Sequence, residues 1–199
     1  MQDLFPLLNA AFDFALGGVA VVPSHYPVPR GEHPCSGALV LECSCGNLWC
    51  ATPARHLIGA YRLDDASTAA ADVCRRWMAH PDGNIATPAG LRFDSVQFHD
   101  PGDPEQVLAW LEGHSVTVGP VLQAGPGSLE FLVKPGPIRV PQTHGTLTYV
   151  GHGGLVLLPP SRTVSDDVLA WLRPLEAELP PGDLLVDALA QVPDPLDRL

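Results

Sequence analysis

Twenty-two prolines and nineteen glycines spread through 199 residues constrain this chain more than any other feature. Proline removes a backbone donor and fixes φ, while glycine frees the backbone to turn, so their dispersal cuts the sequence into short helices and strands. They form no low-complexity repeat, and a hydrophobic content of 46% is that of an ordinary globular protein. No apolar run approaches the roughly 20 residues that cross a bilayer. The opening MQDLFPLLNAAFDFAL is acidic where a secretory signal begins basic, so the expectation is a cytoplasmic protein with no membrane partner. A formal charge of -11 repels polyanions, and Lys134 is the only lysine, so any contact with nucleic acid must come from a small local basic cleft.

Between the breakers, the hydrophobic periods read as alternating short elements. Phe5, Leu8, Phe12 and Leu16 have helical spacing within residues 3–16, and Gly17-Gly18 ends that helix. Val19–Val22 suits a buried strand. The spacing predicts a helix after Ser67 that carries Cys74, Trp77 and Met78, with Cys74 on its apolar face as core filler. Asn84–Thr87 and Leu91–Phe98 read as strands. Asp103-Pro104-Glu105-Gln106 has the form of a helix start with a capping box. Strands near Val116–Leu122, Leu129–Val133, Gly145–Val150 and Leu155–Leu158 follow. A helix capped by Ser165 is expected to hold Leu169 and Trp171, and Leu184–Val192 is one more amphipathic stretch. Helices inserted among short strands define an α+β fold. The expected organisation is one domain over residues 1–173, with a cysteine-rich insert at about 30–60 that lacks regular structure, and a helical appendage over 174–199.

That insert holds four of the five cysteines. Cys43, Cys45, Cys50 and His56 form C-x-C-x4-C-x5-H, and three thiolates with one imidazole match the donor set of a closed, structural tetrahedral zinc site. Cys35 or His33 are alternates for one of the four. A metal clip would also offset the closure entropy of a long irregular insert. The rival readings are metal-free buried thiols and a disulfide. Disulfides are rare in the cytosol, and Cys43 stands too near Cys45 for an unstrained bridge.

Other residues invite chemistry and have plainer explanations. His152 in VGHGG is a turn residue without an identifiable partner acid, and Ser161 lacks the G-x-S-x-G elbow of a nucleophile. Gly125-Pro126-Gly127 is not followed by the Lys-Ser/Thr of a phosphate loop. Trp49, Trp77, Trp110 and Trp171 stand singly and read as core or interface anchors. Arg139 and Arg162 are the residues best suited to contact a nucleotide or a phosphate, and Arg75-Arg76 is a further basic pair.

Several separated pieces, in order, resemble the N-terminal primase-polymerase domain of bifunctional DNA primase/polymerases in the archaeo-eukaryotic primase superfamily. They are FALGGVAVVP, RGEHP, the CSCGNLWCATPARH insert in a form similar to actinobacterial members, RRWMAHPDGNIATPAG, the strand ending at Val96–Asp100, and GTLTYVGHGGLVLLPPS. The resemblance covers roughly residues 10–172. It implies a sheet of RNA-recognition-motif-like topology with an N-terminal αβ unit, and a cleft for nucleotide and template. In active members a D-x-D pair and a later acidic residue hold magnesium or manganese for phosphoryl transfer, and a histidine helps hold the nucleotide.

Carried onto this chain, the D-x-D positions fall on Gln97 and His99, the nucleotide histidine on Leu129, and the third acidic residue on Thr148. Asp94, Asp100 and Glu130 are the neighbouring carboxylates that a shifted alignment would offer. The resemblance therefore implies a degenerate, non-catalytic primase-polymerase-like protein that binds a nucleotide, a nucleic acid or a protein partner through the ancestral cleft, with structural zinc. Two alternatives remain at this point: an active nucleotidyltransferase with relocated acidic residues and bound magnesium or manganese, and a pure protein-interaction or regulatory scaffold.

Overall fold

A computed structural model describes residues 5–32, 35, 37, 39–123, 127–137, 142–165 and 167–193. The elements run α1 (Pro6–Leu16), β1 (Val22–Ser24), β2 (Pro27–Glu32), β3 (Leu39–Cys43), α2 (Ala70–Ala79), β4 (Asn84–Pro88) and β5 (Asp94–His99). Then follow α3 (Pro104–Gly113), β6 (Val121–Gln123), β7 (Ser128–Val133), β8 (Gln142–His144), β9 (Leu147–Val150), β10 (Leu155–Leu158), β11 (Ala170–Arg173) and α4 (Gly182–Leu189). Two compact units result: Met1–Pro88 with Leu155–Leu169, and Ala89–Gly154 with Ala170–Leu199. No helix among the described residues is long and apolar enough to cross a membrane.

The first unit is built on β4, which pairs antiparallel with β1 on one side and β10 on the other. Every residue of β4 is buried, as a central strand covered on both faces requires. Helices α1 and α2 pack on each other. The buried face of α2 is Val73, Arg76 and Trp77, and the Trp77 indole N–H donates to Gly83 O at 2.9 Å. Cys74 and Met78 are exposed, which corrects the reading of Cys74 as core filler: the buried stripe passes through Arg76, whose guanidinium reaches Val21 O at 3.4 Å. Ser67 lies just before the helix, accepting from Ala69 N at 3.0 Å and donating to Asp72 at 2.9 Å.

The insert is more regular than expected. β2 and β3 form an antiparallel hairpin from Pro27↔Cys43 to Glu32↔Leu39, with an irregularity between Pro29 and Gly31. Two prolines are tolerated because this sheet has only two strands, so the missing N–H groups fall on an open edge.

In the second unit six strands, all antiparallel, lie in the order β11-β6-β7-β5-β9-β8. Its middle, β6-β7-β5-β9, with α3 joining β5 to β6, has RNA-recognition-motif-like topology. Asp103 caps α3 by accepting from Glu105 N at 3.0 Å; Gln106 donates to the Asp103 carboxylate at 2.9 Å. Helices α3 and α4 cover one face, where Val107, Leu111, Leu185 and Leu189 pack with Val96, Phe98, Leu129, Phe131, Val133 and Tyr149. The helix expected after Ser165 is instead strand β11: Ala170–Arg173 alternates exposed and half-buried residues and pairs with β6, and a period of two outweighs the capping signal. His152 is an exposed turn residue, and at Gly90 (φ 87°) any Cβ would stand 2.8 Å from His152 Cα.

Candidate metal centre and polar sheet face

The hairpin delivers Cys43 at the end of β3, and the turns that follow return the chain to it. One atom from each of Cys43, Cys45, Cys50 and His56 lies within 4.8 Å of the others. His56 Nε2 is 3.3 Å from Cys43 Sγ and 3.3 Å from Cys50 Sγ. Four ligands around one tetrahedral ion with S and N bonds of 2.0–2.3 Å stand about 3.5–3.8 Å apart, so the donors need move little to share an ion. The backbone supports anionic sulfur: Ala54 N–H donates to Cys43 Sγ at 3.3 Å and Asn47 N–H to Cys45 Sγ at 3.4 Å. Without a metal, burial pushes the Cys43 thiol up to about 11, while the Asn47 N–H draws Cys45 below the usual thiol range. A cation is what would reconcile a buried thiol with its anionic form.

His56 is held by its neighbours. Its backbone oxygen accepts from His25 N at 2.8 Å, and its ring lies 4.4 Å from the His25 ring. His25 Nδ1 in turn shares a 2.8 Å hydrogen bond with Ser44 Oγ. Burial, then the charges of His56 and His80, lower the pKa of His25. Cys35 is exposed and stands outside the cluster; the other alternate, His33, lies outside the described residues.

The second site is the face of the six-stranded sheet opposite α3 and α4. Alternation along β5 puts Ser95, Gln97 and His99 on it. Gln97 pairs across the sheet with Glu130 on β7 and Thr148 on β9. Ser95 Oγ donates to Glu130 Oε1 at 2.7 Å and Gln97 Nε2 to the same oxygen at 3.2 Å. His99 Nε2 lies 3.1 Å from Thr148 Oγ1. Gln97, His99 and Thr148 therefore come together. Leu129 does not join them: it pairs with Phe98 and is buried in the helix-side core, and Glu130 takes the position on the polar face. A one-residue difference in register on a strand exchanges the two faces. The S-L-E-F-L-V alternation of β7 carried that signal.

Glu130 is 3% exposed and is the only carboxylate that β5, β7 and β9 place on this face. Asp94 points the other way, its Oδ2 accepting from Gly136 N at 2.7 Å and from the Tyr149 hydroxyl at 2.8 Å. Burial and the Asp94 carboxylate raise the Tyr149 pKa far above that of an ordinary phenol. Asp100 follows β5 in a left-handed conformation, φ 52°, its N–H directed to Gly127 O.

Of the basic residues, Arg139 lies outside the described residues. Arg162 is exposed in the first unit, its backbone bonded on both sides to the Asn84 side chain, and it borders a cavity of about 570 Å³ with Tyr26 and Asp82. Trp77 is a core anchor, whereas Trp49 beside the cysteines is 90% exposed.

The chain thus joins a mixed α+β fold to this sheet topology and this polar face. It belongs to the family described as bifunctional DNA primase/polymerase, N-terminal (Prim-Pol), whose match covers residues 11–194. No curated protein matches the chain.

Proposed function

We propose that this primase-polymerase-like protein has lost nucleotidyl transfer and uses the polar sheet face, at the ancestral cleft, to bind a nucleotide, a nucleic acid or a protein partner in the cytoplasm. The observation that carries this reading is the composition of the face: one carboxylate, Glu130, already engaged by Ser95 and Gln97. A hard dication that bridges triphosphate and 3′-hydroxyl needs several anionic oxygens around it. Gln97 and Thr148 are neutral, and the His99 imidazole is a softer donor. Hydroxyl, amide and imidazole groups remain able to hydrogen-bond a nucleotide.

Structural zinc at Cys43, Cys45, Cys50 and His56 belongs to the same reading. The sulfur-rich donor set, its atoms within 4.8 Å of one another, supports zinc over harder ions. Its contribution is to tie the end of β3 to the chain at His56.

The test is primer extension by the purified protein with dNTPs and manganese, alongside a thermal-shift titration with ATP, GTP and dNTPs. The expected result is no extension and a nucleotide-dependent rise in Tm. Extension that disappears in Glu130→Gln would overturn the loss of catalysis, and a flat thermal response across all nucleotides would overturn nucleotide binding.

A further inference from the structure

The four donors of the Cys43–His56 cluster are not held alike. Cys43, at the end of β3, is 3% exposed, and its Sγ accepts from Ala54 N–H at 3.3 Å. His56 is fixed by His25, whose backbone N–H donates to the His56 oxygen at 2.8 Å and whose ring stands against the His56 ring. These two donors form an inner pair. Cys45 and Cys50 form an outer pair: both are half-buried, and every residue between them, Gly46 to Trp49, is exposed. The hydrogen bonds of this loop stay local, from Asn47 N–H to Cys45 Sγ, from Trp49 N–H to Asn47 Oδ1 and from Cys50 N–H to Asn47 O.

The outer sulfurs are also near each other. All four donor atoms lie within 4.8 Å of one another, so Cys45 Sγ and Cys50 Sγ need approach by no more than about 2.8 Å to reach an S–S bond length of about 2.05 Å. Gly46, at φ 72° with open space where a Cβ would stand, gives the turn between them room to adjust. Cys43 is a poorer partner for either: it is shielded from solvent, and a single residue separates it from Cys45.

We propose that the outer pair is an oxidant-sensitive latch: peroxide joins Cys45 to Cys50 in a disulfide and so breaks up the four-donor set. This inference rests on the metal reading given under the proposed function. Solvent-accessible thiolates are where such oxidation begins. One outer thiolate attacks a peroxide oxygen, the O–O bond breaks, and a sulfenic acid forms as hydroxide leaves. The other thiolate attacks that sulfur, forming the S–S bond and expelling a second hydroxide. Two thiolates have then lost two electrons, peroxide has gained them, and two protons from solvent convert the hydroxides to water. Cys43 and His56 remain as two donors, too few to close a tetrahedral shell, and the Cys43 thiolate takes a proton from solvent. The tie between the end of β3 and His56 is thereby released, and a reductant restores it.

The experiment is a hydrogen peroxide titration of the intact chain after reduction and equilibration with zinc. Released zinc is read with a chromophoric chelator, and thiols are mapped by alkylation and peptide mass spectrometry. The expected result is a Cys45–Cys50 bridge, zinc released in step with it, Cys43 recovered as an alkylated thiol, and reversal by dithiothreitol with added zinc. Cys45→Ser is expected to lose the bridge, and Cys74→Ser, at an exposed thiol outside the cluster, to leave it unchanged. The mapping of the natural chain decides the matter even where Cys45→Ser fails to fold. A reduced chain without zinc would overturn the metal reading on which the latch rests. Zinc that is bound but retained after Cys35 and Cys74 have been oxidised, a bridge through Cys43 or Cys35, or sulfinic acid at Cys45 without a bridge would overturn the latch itself.

Discussion

The Cys43–His56 cluster and the Gln97–Thr148 face both gather polar side chains at β-strands, and they differ in what they offer a cation. In the cluster four donors of the right softness meet around one point, within 4.8 Å, with backbone N–H groups turned to the sulfurs. On the sheet face one carboxylate is occupied by two neighbours, and the remaining groups bond to each other. Shared fold does not carry shared chemistry; the donor set decides it. The first donor set suits a soft, tetrahedral ion, while on the proposed reading a hard dication with its triphosphate would find too few oxygens at the second.

The comparison breaks most visibly if the cluster is emptied. Chelation, or Cys43→Ser/Cys50→Ser, is expected to lower Tm by roughly 10 °C, because structural zinc contributes folding free energy outright. A Tm unchanged by a strong chelator would remove the staple from the account. Metal uptake should also release protons. Burial holds the metal-free Cys43 thiol protonated up to about 11, so at pH 8 its proton must leave when an ion binds, and affinity should rise with pH. Calorimetry in buffers of different ionisation enthalpy counts those protons. The sign is opposite for the metal-free fold: with the folded pKa raised, its contribution is full below the ordinary thiol pKa and fades as pH climbs toward 11.

On the sheet face the effects are smaller. Glu130→Ala removes the acceptor shared by Ser95 and Gln97 and should cost about 1–3 kcal/mol, or roughly 3–9 °C in Tm. Glu130→Gln keeps an acceptor oxygen and should lose less than half of that in a denaturant titration. Equal losses would mean that charge, and not hydrogen bonding, is what Glu130 supplies. Gln97→Asp sets a second carboxylate opposite Glu130, and manganese is then expected to raise Tm by about 2 °C in the variant and not in the natural chain. A shift of equal size in both would show that the face already holds the ion.

Much of this was legible in the sequence. The helix start at Asp103-Pro104 announced α3 through its cap, and the apolar strands Asn84–Pro88 and Leu155–Leu158 were marked by their bounding turns. The metal donors stood out because cysteine and histidine at close spacing have few uses. Strand faces were harder to read. The resemblance carries the nucleotide histidine onto Leu129, and only the pairing of Gln97 with Glu130 reveals which residue shares its face. The β2–β3 hairpin was masked by its prolines and by weak alternation. Strand β11 was obscured by a serine that looked like a cap, and Cys74 was misplaced because the buried stripe of α2 includes an arginine.

The proposed contrast, between a site that would hold an ion and one that would not, is tested most directly by counting ions. Native mass spectrometry of the purified chain, after equilibration with zinc and manganese together, is predicted to show one zinc, lost in Cys43→Ser/Cys50→Ser, and no manganese. A bound manganese that disappears in Glu130→Gln, or a chain without zinc, would contradict the account.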